Sequence, residues 1–183
     1  TAILTSVFPG LKEYYSILAE ALKKTADDLL AELKTSGLRG RGGAGFPIAI
    51  KLEGCRTAAG KQTFIVCNAD EGDPGAYSDR YLLEQQPHRV LLGMMIAGYI
   101  AGAETGVVYL RGEYPEAIGI TQAAIDELYQ QNLLGENIFG SGFNYNFKVI
   151  GAQGAYICGE ETALLSSIEG QRPEVRVRPP YPV

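Results

Sequence analysis

The sequence holds one histidine and three cysteines in 183 residues, lacks a long uninterrupted apolar run, and has no excess of positive charge. Each shortage removes a class of function. Cys55, Cys67 and Cys158 are far apart and form no C-x-x-C pair. With an odd cysteine left over, a disulfide framework or a four-cysteine cluster within the chain is not expected, and a reducing compartment is. The sole histidine, His88, follows Pro87 at an expected helix start. It reads as a surface or capping residue, and no metal site is expected. A net charge of −5 argues against nucleic acid as a partner, because phosphate-backbone binding needs a basic face. The longest apolar run, Val90–Ala103, is short and broken by glycines, which argues against direct membrane insertion. No signal peptide is visible. The chain opens at Thr1 without methionine and reads as a fragment of something larger.

What the chain does have is an ordinary globular balance, 46% hydrophobic and 20% charged, at a length that suits one domain with a real core. Its most informative stretch is Gly37–Lys51, G-L-R-G-R-G-G-A-G-F-P-I-A-I-K, with glycines at 37, 40, 42, 43 and 45, cations at 39, 41 and 51, and no acid. Glycine lets backbone N–H groups approach an anion without a β-carbon in the way. Clustered N–H groups beside cationic side chains make a concave phosphate site. A flexible linker is the plainer reading, although linkers tend to mix glycine with serine.

Helical spacing of Leu11, Tyr14, Tyr15, Leu18, Leu22, Leu29, Leu30 and Leu33 predicts an N-terminal amphipathic helix from Leu11 to Lys34, broken near Thr25 and ended by Gly37. The glycine loop therefore follows a helix. That departs from the ordinary dinucleotide fingerprint of strand, loop and helix. Strands are expected at Thr63–Asn68, Gly106–Arg111 and Phe147–Ile150. Helices are expected at Tyr77–Gln85, Pro87–Ala103, Pro115–Gln131 and Glu160–Glu169. The alternation predicts an α/β fold, an open parallel sheet with helices on its faces, in which ligands collect at the carboxyl ends of the strands.

Two polar motifs sit at such ends. C-N-A-D-E-G-D-P-G places Asn68, Asp70, Glu71 and Asp73 together. An amide can pair with a ring edge and carboxylates can accept from sugar hydroxyls, or the acids simply cap a helix after an Asp-Pro-Gly turn. G-A-Q-G-A-Y-I-C-G-E-E-T-A-L sets Tyr156 among small residues before Glu160 and Glu161. Those acids either complement a helix dipole or rim a flat cavity with Tyr156 against a ring. Arg111 closes the third strand end.

G-L-R-G-R-G-G-A-G-F-P, C-N-A-D-E and G-A-Y-I-C-G-E-E-T-A-L, with R-G-E-Y at Arg111–Tyr114, N-L-L-G at Asn132–Gly135, S-G-F at Ser141–Phe143 and R-P-P-Y-P at the end, together resemble the flavin-binding subunit of NADH:quinone oxidoreductase (respiratory complex I). The same module occurs in diaphorase subunits of NAD-linked hydrogenases and β-subunits of NAD-dependent formate dehydrogenases. The resemblance implies a Rossmann-like open sheet that binds FMN and NADH, with residues 1–36 as a helical segment and 37–183 as the binding core. By the resemblance, Gly40, Arg41, Gly42, Gly43 and Lys51 cradle the FMN phosphate and ribityl chain. Asn68, Asp70, Glu71, Tyr156 and Glu160 hold the flavin, and Phe46, Asp73, Glu161, Arg178 and Tyr181 surround NADH. Glu161 is the candidate catalytic residue, positioning the nicotinamide or its ribose. No general acid or base is assigned, since hydride transfer between two flat rings needs stacking and distance control.

The resemblance further implies a 4Fe-4S cluster in a part beyond this chain. It implies partners such as a 24 kDa-type iron–sulfur subunit or hydrogenase and formate dehydrogenase subunits, and a cytoplasmic location, peripheral on the inner membrane face through those partners. There are departures. Gly54 stands where many members have an aromatic, Asp73 is one methylene shorter than the usual glutamate, and Arg178 and Tyr181 replace lysine and phenylalanine. They motivate a second reading, a non-catalytic flavin- or nucleotide-binding scaffold.

Overall fold

The computed structural model describes residues 3–42, 44–58, 60, 62–152 and 154–179. The N-terminal amphipathic stretch is two helices, α1 (Leu11–Ala21) and α2 (Ala26–Ser36). Thr25 sets the break. Its hydroxyl accepts from Asp28 N–H (3.1 Å) while the Asp28 carboxylate accepts from Thr25 N–H (3.2 Å), which closes a capping box. Gly37 ends α2 in the left-handed region, φ 63°.

The sequence pattern gave no helix directly after the glycine loop, yet α3 (Ile48–Thr57) begins there, with Pro47 at its N-cap. Then follow β1 (Phe64–Ala69), α4 (Ser78–Gln85), α5 (Pro87–Ala101), β2 (Thr105–Leu110), α6 (Pro115–Gln130), β3 (Asn146–Gly151) and α7 (Glu161–Ile168). These lie within about two residues of the expected bounds, the ordinary uncertainty of element ends.

The three strands are parallel in the order β1-β2-β3. Asn68 pairs with Tyr109 and Tyr109 with Ile150, so these three share one face; Cys67, Val108 and Val149 share the other. Two successive crossovers that step the same way across a sheet put their helices on one face. Accordingly Val108, Leu110, Ile65, Phe147 and Val149 pack with Leu91, Met95 and Leu128 from α5 and α6, and with Tyr15 and Leu18 from α1. Leu164, Leu165 and Ile168 of α7 cover Val66, Tyr109 and Ile150 on the opposite face. Helices therefore lie on both faces, as the alternation predicted.

His88 overturns its surface assignment. It is buried, 3.3 Å from the Tyr15 hydroxyl through Nδ1 and 3.3 Å from the Glu127 carboxylate through Nε2. A carboxylate only accepts, so Nε2 carries the proton and Nδ1 accepts from Tyr15. Phe8 stacks on the ring, centroids 5.3 Å apart.

Candidate functional site at the strand ends

The loop after β1 and the turn after β3 meet. Asn68 Nδ2 donates to the Gly159 carbonyl oxygen at 2.8 Å, and the Tyr156 hydroxyl donates to Asp73 Oδ1 at 2.9 Å. Both contacts are tight against a glycine. A β-carbon on Gly159 would stand 3.0 Å from the Asp70 carbonyl oxygen, and one on Gly72 would stand 3.0 Å from Tyr156 Cδ2. The Tyr156 ring is thus laid against Gly72 with its outer side open, the residue being 71% exposed.

The end of β2 joins them. Arg111 Nη1 donates to the Glu71 carbonyl oxygen at 2.5 Å, and a β-carbon on Gly112 would come within 2.6 Å of the Ala152 carbonyl oxygen. Three loops far apart in sequence therefore form one surface, because parallel strands deliver all their carboxyl ends to the same rim.

Asp70 is 8% exposed and its Oδ2 has no hydrogen-bond partner. Burial raises its carboxyl above the ordinary range; Arg111 opposes this and Glu113 adds to it. Glu160 Oε2 accepts from Thr162 N–H and Ala163 N–H, both at 2.9 Å, and so caps α7. Burial works against the Glu160 charge, but these bonds, the Thr162 hydroxyl and Arg178 outweigh it and hold the carboxyl below its usual range. Its Oε1 is buried without a hydrogen-bond partner, 3.4 Å from Arg178 Nη2. Glu161 pairs with Arg178, and its Oε2 lies 3.5 Å from Lys51 Nζ.

Glu71 does something the motif only half suggests. Its carboxylate accepts from Ser78 Oγ (3.0 Å), Asp79 N–H (3.0 Å) and Arg80 N–H (3.2 Å), at the start of α4. Its side chain is therefore engaged in capping, and its carbonyl is taken by Arg111.

The glycine loop is pinched at its base. Gly40 N–H donates to the Phe46 carbonyl oxygen at 2.8 Å, Ile48 N–H to Leu38 at 3.1 Å, and Arg39 Nη1 to Gly45 at 3.0 Å. Arg41 and Gly42 project from this base, exposed, and Phe46 is half-exposed beside it. The loop feeds α3, whose N-terminus has no side-chain cap; its first amide, Ile48 N–H, is taken by Leu38, so the amides of Ala49 and Ile50 are the ones of the first turn left to an anion. The link to the strand-end loops runs through Lys51 on α3 to Glu161 on α7. Gly43 and Tyr181 lie outside the described residues. A groove of about 640 Å³ between α1, α2 and α5, lined by Ile17, Leu29, Leu33 and Ile96 among others, contains none of the predicted site residues.

Sequence reasoning missed the close-packed glycines 72, 112 and 159. The only available signal was their position inside motifs already recognised. Among the described residues there is no cluster of three or more metal-ligating side chains, and no helix is long and apolar enough to cross a membrane.

Residues 33–183 match the family described as the Nuo51 FMN-binding domain. The chain is 47% identical over 169 residues to an NADH-quinone oxidoreductase subunit of Rhizobium meliloti (strain 1021), covering 92% of this chain and 40% of that relative. It is 49% identical over 168 residues to the NADP-reducing hydrogenase subunit HndC of Solidesulfovibrio fructosivorans, covering 92% and 34%. Among solved structures it resembles an NAD+-reducing [NiFe]-hydrogenase in the air-oxidized state, at a TM-score of 0.77 and 39% identity, over 89% of this chain and 27% of the other. The chain thus spans well under half the length of these relatives.

Proposed function

Since the chain belongs to the Nuo51 FMN-binding domain family, we propose that it forms the flavin- and NADH-binding part of an NADH-oxidising complex. The full protein takes hydride from NADH and passes electrons through iron–sulfur clusters outside this stretch to quinone or to a hydrogenase-type partner. The observation that carries this reading is the joined rim of Asn68, Asp70, Gly72, Tyr156 and Gly159, with a buried acceptor left without a hydrogen bond at Asp70 Oδ2. Buried acceptors without partners are costly, and a flat ligand carrying N–H and O–H donors satisfies them. The two glycines leave no side chain between that ligand and the backbone. These residues fit FMN.

FMN, when bound, supplies the hydride acceptor and the means to release electrons one at a time. The chain's residues supply the rest. The glycine loop, the open amides of α3 and Lys51 bind the phosphate end. Asn68 and Asp70 orient the ring edge, and Tyr156 covers it. Glu161 and Arg178, paired with each other, lie at the α7 side where the dinucleotide enters. Asp73 presents a carboxylate that suits a ribose diol and repels an added 2′-phosphate, which favours NADH over NADPH.

The test uses the full-length protein. FMN titration should quench flavin fluorescence at one equivalent, and NADH should then bleach the bound flavin. Absence of FMN uptake under cofactor-replete conditions overturns the reading. Uptake without bleaching favours a scaffold.

A further inference from the structure

R-G-E-Y ends β2 without a ligand role of its own, yet its side chains touch both neighbouring loops. Arg111 carries five donors on a planar fork. Nη1 goes to the Glu71 carbonyl oxygen, while Nε and Nη2 go to the two oxygens of Glu113 at 3.2 and 2.8 Å. The guanidinium lies 5.2 Å from the Tyr114 ring centroid. Glu113 also reaches the turn after β3: a β-carbon on Gly154 would meet its Oε1 at 3.2 Å.

One residue before Glu71, Asp70 is buried with a bare oxygen. Arg111 is the cation acting on it and is bonded to the next residue's carbonyl, yet the two form no ion pair within 4 Å, and the Nε/Nη2 edge of Arg111 is turned to Glu113. A buried carboxylate beside an unengaged guanidinium would be expected to close a bidentate pair.

Resting on the flavin reading above, we infer that Glu113 is a positioning residue. By holding the Nε/Nη2 edge of Arg111 it turns the guanidinium away from Asp70 and keeps Asp70 Oδ2 free to accept from an N–H or O–H of the flavin, while Arg111 fixes the backbone of the Asp70–Glu71 loop through a main-chain carbonyl.

The experiment compares wild-type full-length protein with Glu113→Gln, Asp70→Asn and the double variant by FMN titration across pH 5–9, with Tm measured alongside. Glu113→Gln releases the fork toward Asp70 and should weaken FMN binding by roughly tenfold, the worth of one hydrogen bond to a charged group. Asp70→Asn should cost about the same, and the double variant should be no worse than either single one. Glu113→Gln should also move the acid limb of FMN binding to lower pH, because an adjacent guanidinium favours ionised Asp70. A brace with no part in binding would lower Tm, leave that limb in place and add to Asp70→Asn; this result overturns the inference. Should Glu113→Gln not fold, Arg111→Lys replaces it: a point charge cannot hold carbonyl and carboxylate together, so FMN binding should fall. Unchanged binding in Arg111→Lys overturns the inference. Wild-type protein that takes up no FMN overturns the functional reading itself, and the inference with it.

Discussion

Tyr145 lays its ring against the bare α-carbon of Gly98, in the middle of α5. A β-carbon at 98 would stand 3.0 Å from both Cδ2 and Cζ of that ring, and the Tyr145 hydroxyl donates to the Met94 carbonyl oxygen at 3.1 Å. Tyr145 is fully buried and has Gly106 on its other side, where a β-carbon would lie 2.7 Å from its hydroxyl. Gly98→Ala should therefore destabilise the protein by about 1–3 kcal/mol through overpacking, although alanine is the better helix former. Urea unfolding measures it. A variant as stable as wild type would mean that the ring shifts without cost.

The Lys51–Glu161 pair gives a different kind of expectation. Both side chains are about half open to solvent (46% and 38%) at 3.5 Å, so breaking the pair should cost no more than about 1 kcal/mol. Lys51→Met and Glu161→Gln should both unfold near the wild-type midpoint. They should separate on ligand. Lys51→Met loses the cation beside the glycine loop and should bind FMN at least roughly tenfold more weakly, with a flatter salt dependence. Glu161→Gln frees Lys51 and should bind FMN no worse, while NADH-linked flavin reduction slows. Equal FMN affinity in all three proteins would remove Lys51 from the phosphate site.

Much of this was legible before any coordinates. The strands announced themselves through runs rich in β-formers such as F-I-V-C, and the apolar spacing showed a break near Thr25, where T-A-D-D forms the capping box in the structure. α3 was hidden because Ile48, Ile50 and Leu52 alternate as a strand would, behind a proline and a glycine loop. Its helical form is decided by packing of Ala49 and Leu52 against α2 and α5. His88 was misplaced because a histidine after proline at a helix start usually faces water. Here Tyr15, 73 residues away, supplies the partner that permits burial. The meeting of strand ends followed from topology. The contact between Asn68 and Gly159, separated by 91 residues, had no local signal.

Gly54 offers a check on the helix that was not foreseen. It sits inside α3, and a β-carbon there would meet nothing within 4 Å. Gly54→Ala should raise stability by about 0.5–1 kcal/mol, the difference in helix propensity. Thermal unfolding gives the sign, and a loss would mean that residues 48–57 are not helical in solution.

His88 makes stability depend on pH. Burial lowers its pKa from the ordinary 6.5, and Glu127 opposes that shift. A depressed histidine binds fewer protons folded than unfolded. Its contribution is therefore complete above about 6.5 and is lost as pH falls from there through the folded value. Denaturation midpoints of wild type should drop between pH 7 and 5 more than those of His88→Gln. Parallel curves would contradict the buried, neutral ring between Tyr15 and Glu127.

Asp70 titrates with the opposite sign. Its carboxyl is raised from the ordinary 3.8, chiefly by burial, so the folded state holds the proton more tightly than the unfolded one. The stability belonging to that proton is present below about 3.8 and is lost as pH rises through the folded value. Once ionised, Asp70 of the ligand-free protein is a buried charge without a hydrogen-bond partner at Oδ2. Asp70→Asn removes that charge at nearly constant volume, so the ligand-free variant should be more stable than wild type at pH 7, and the gain should vanish near pH 3. A site that is less stable with its own side chain than with the neutral isostere is one kept for binding, in keeping with the common exchange of stability for function. If Asp70→Asn destabilises the ligand-free protein at pH 7, Asp70 serves the fold, and its bare oxygen has a partner in solution.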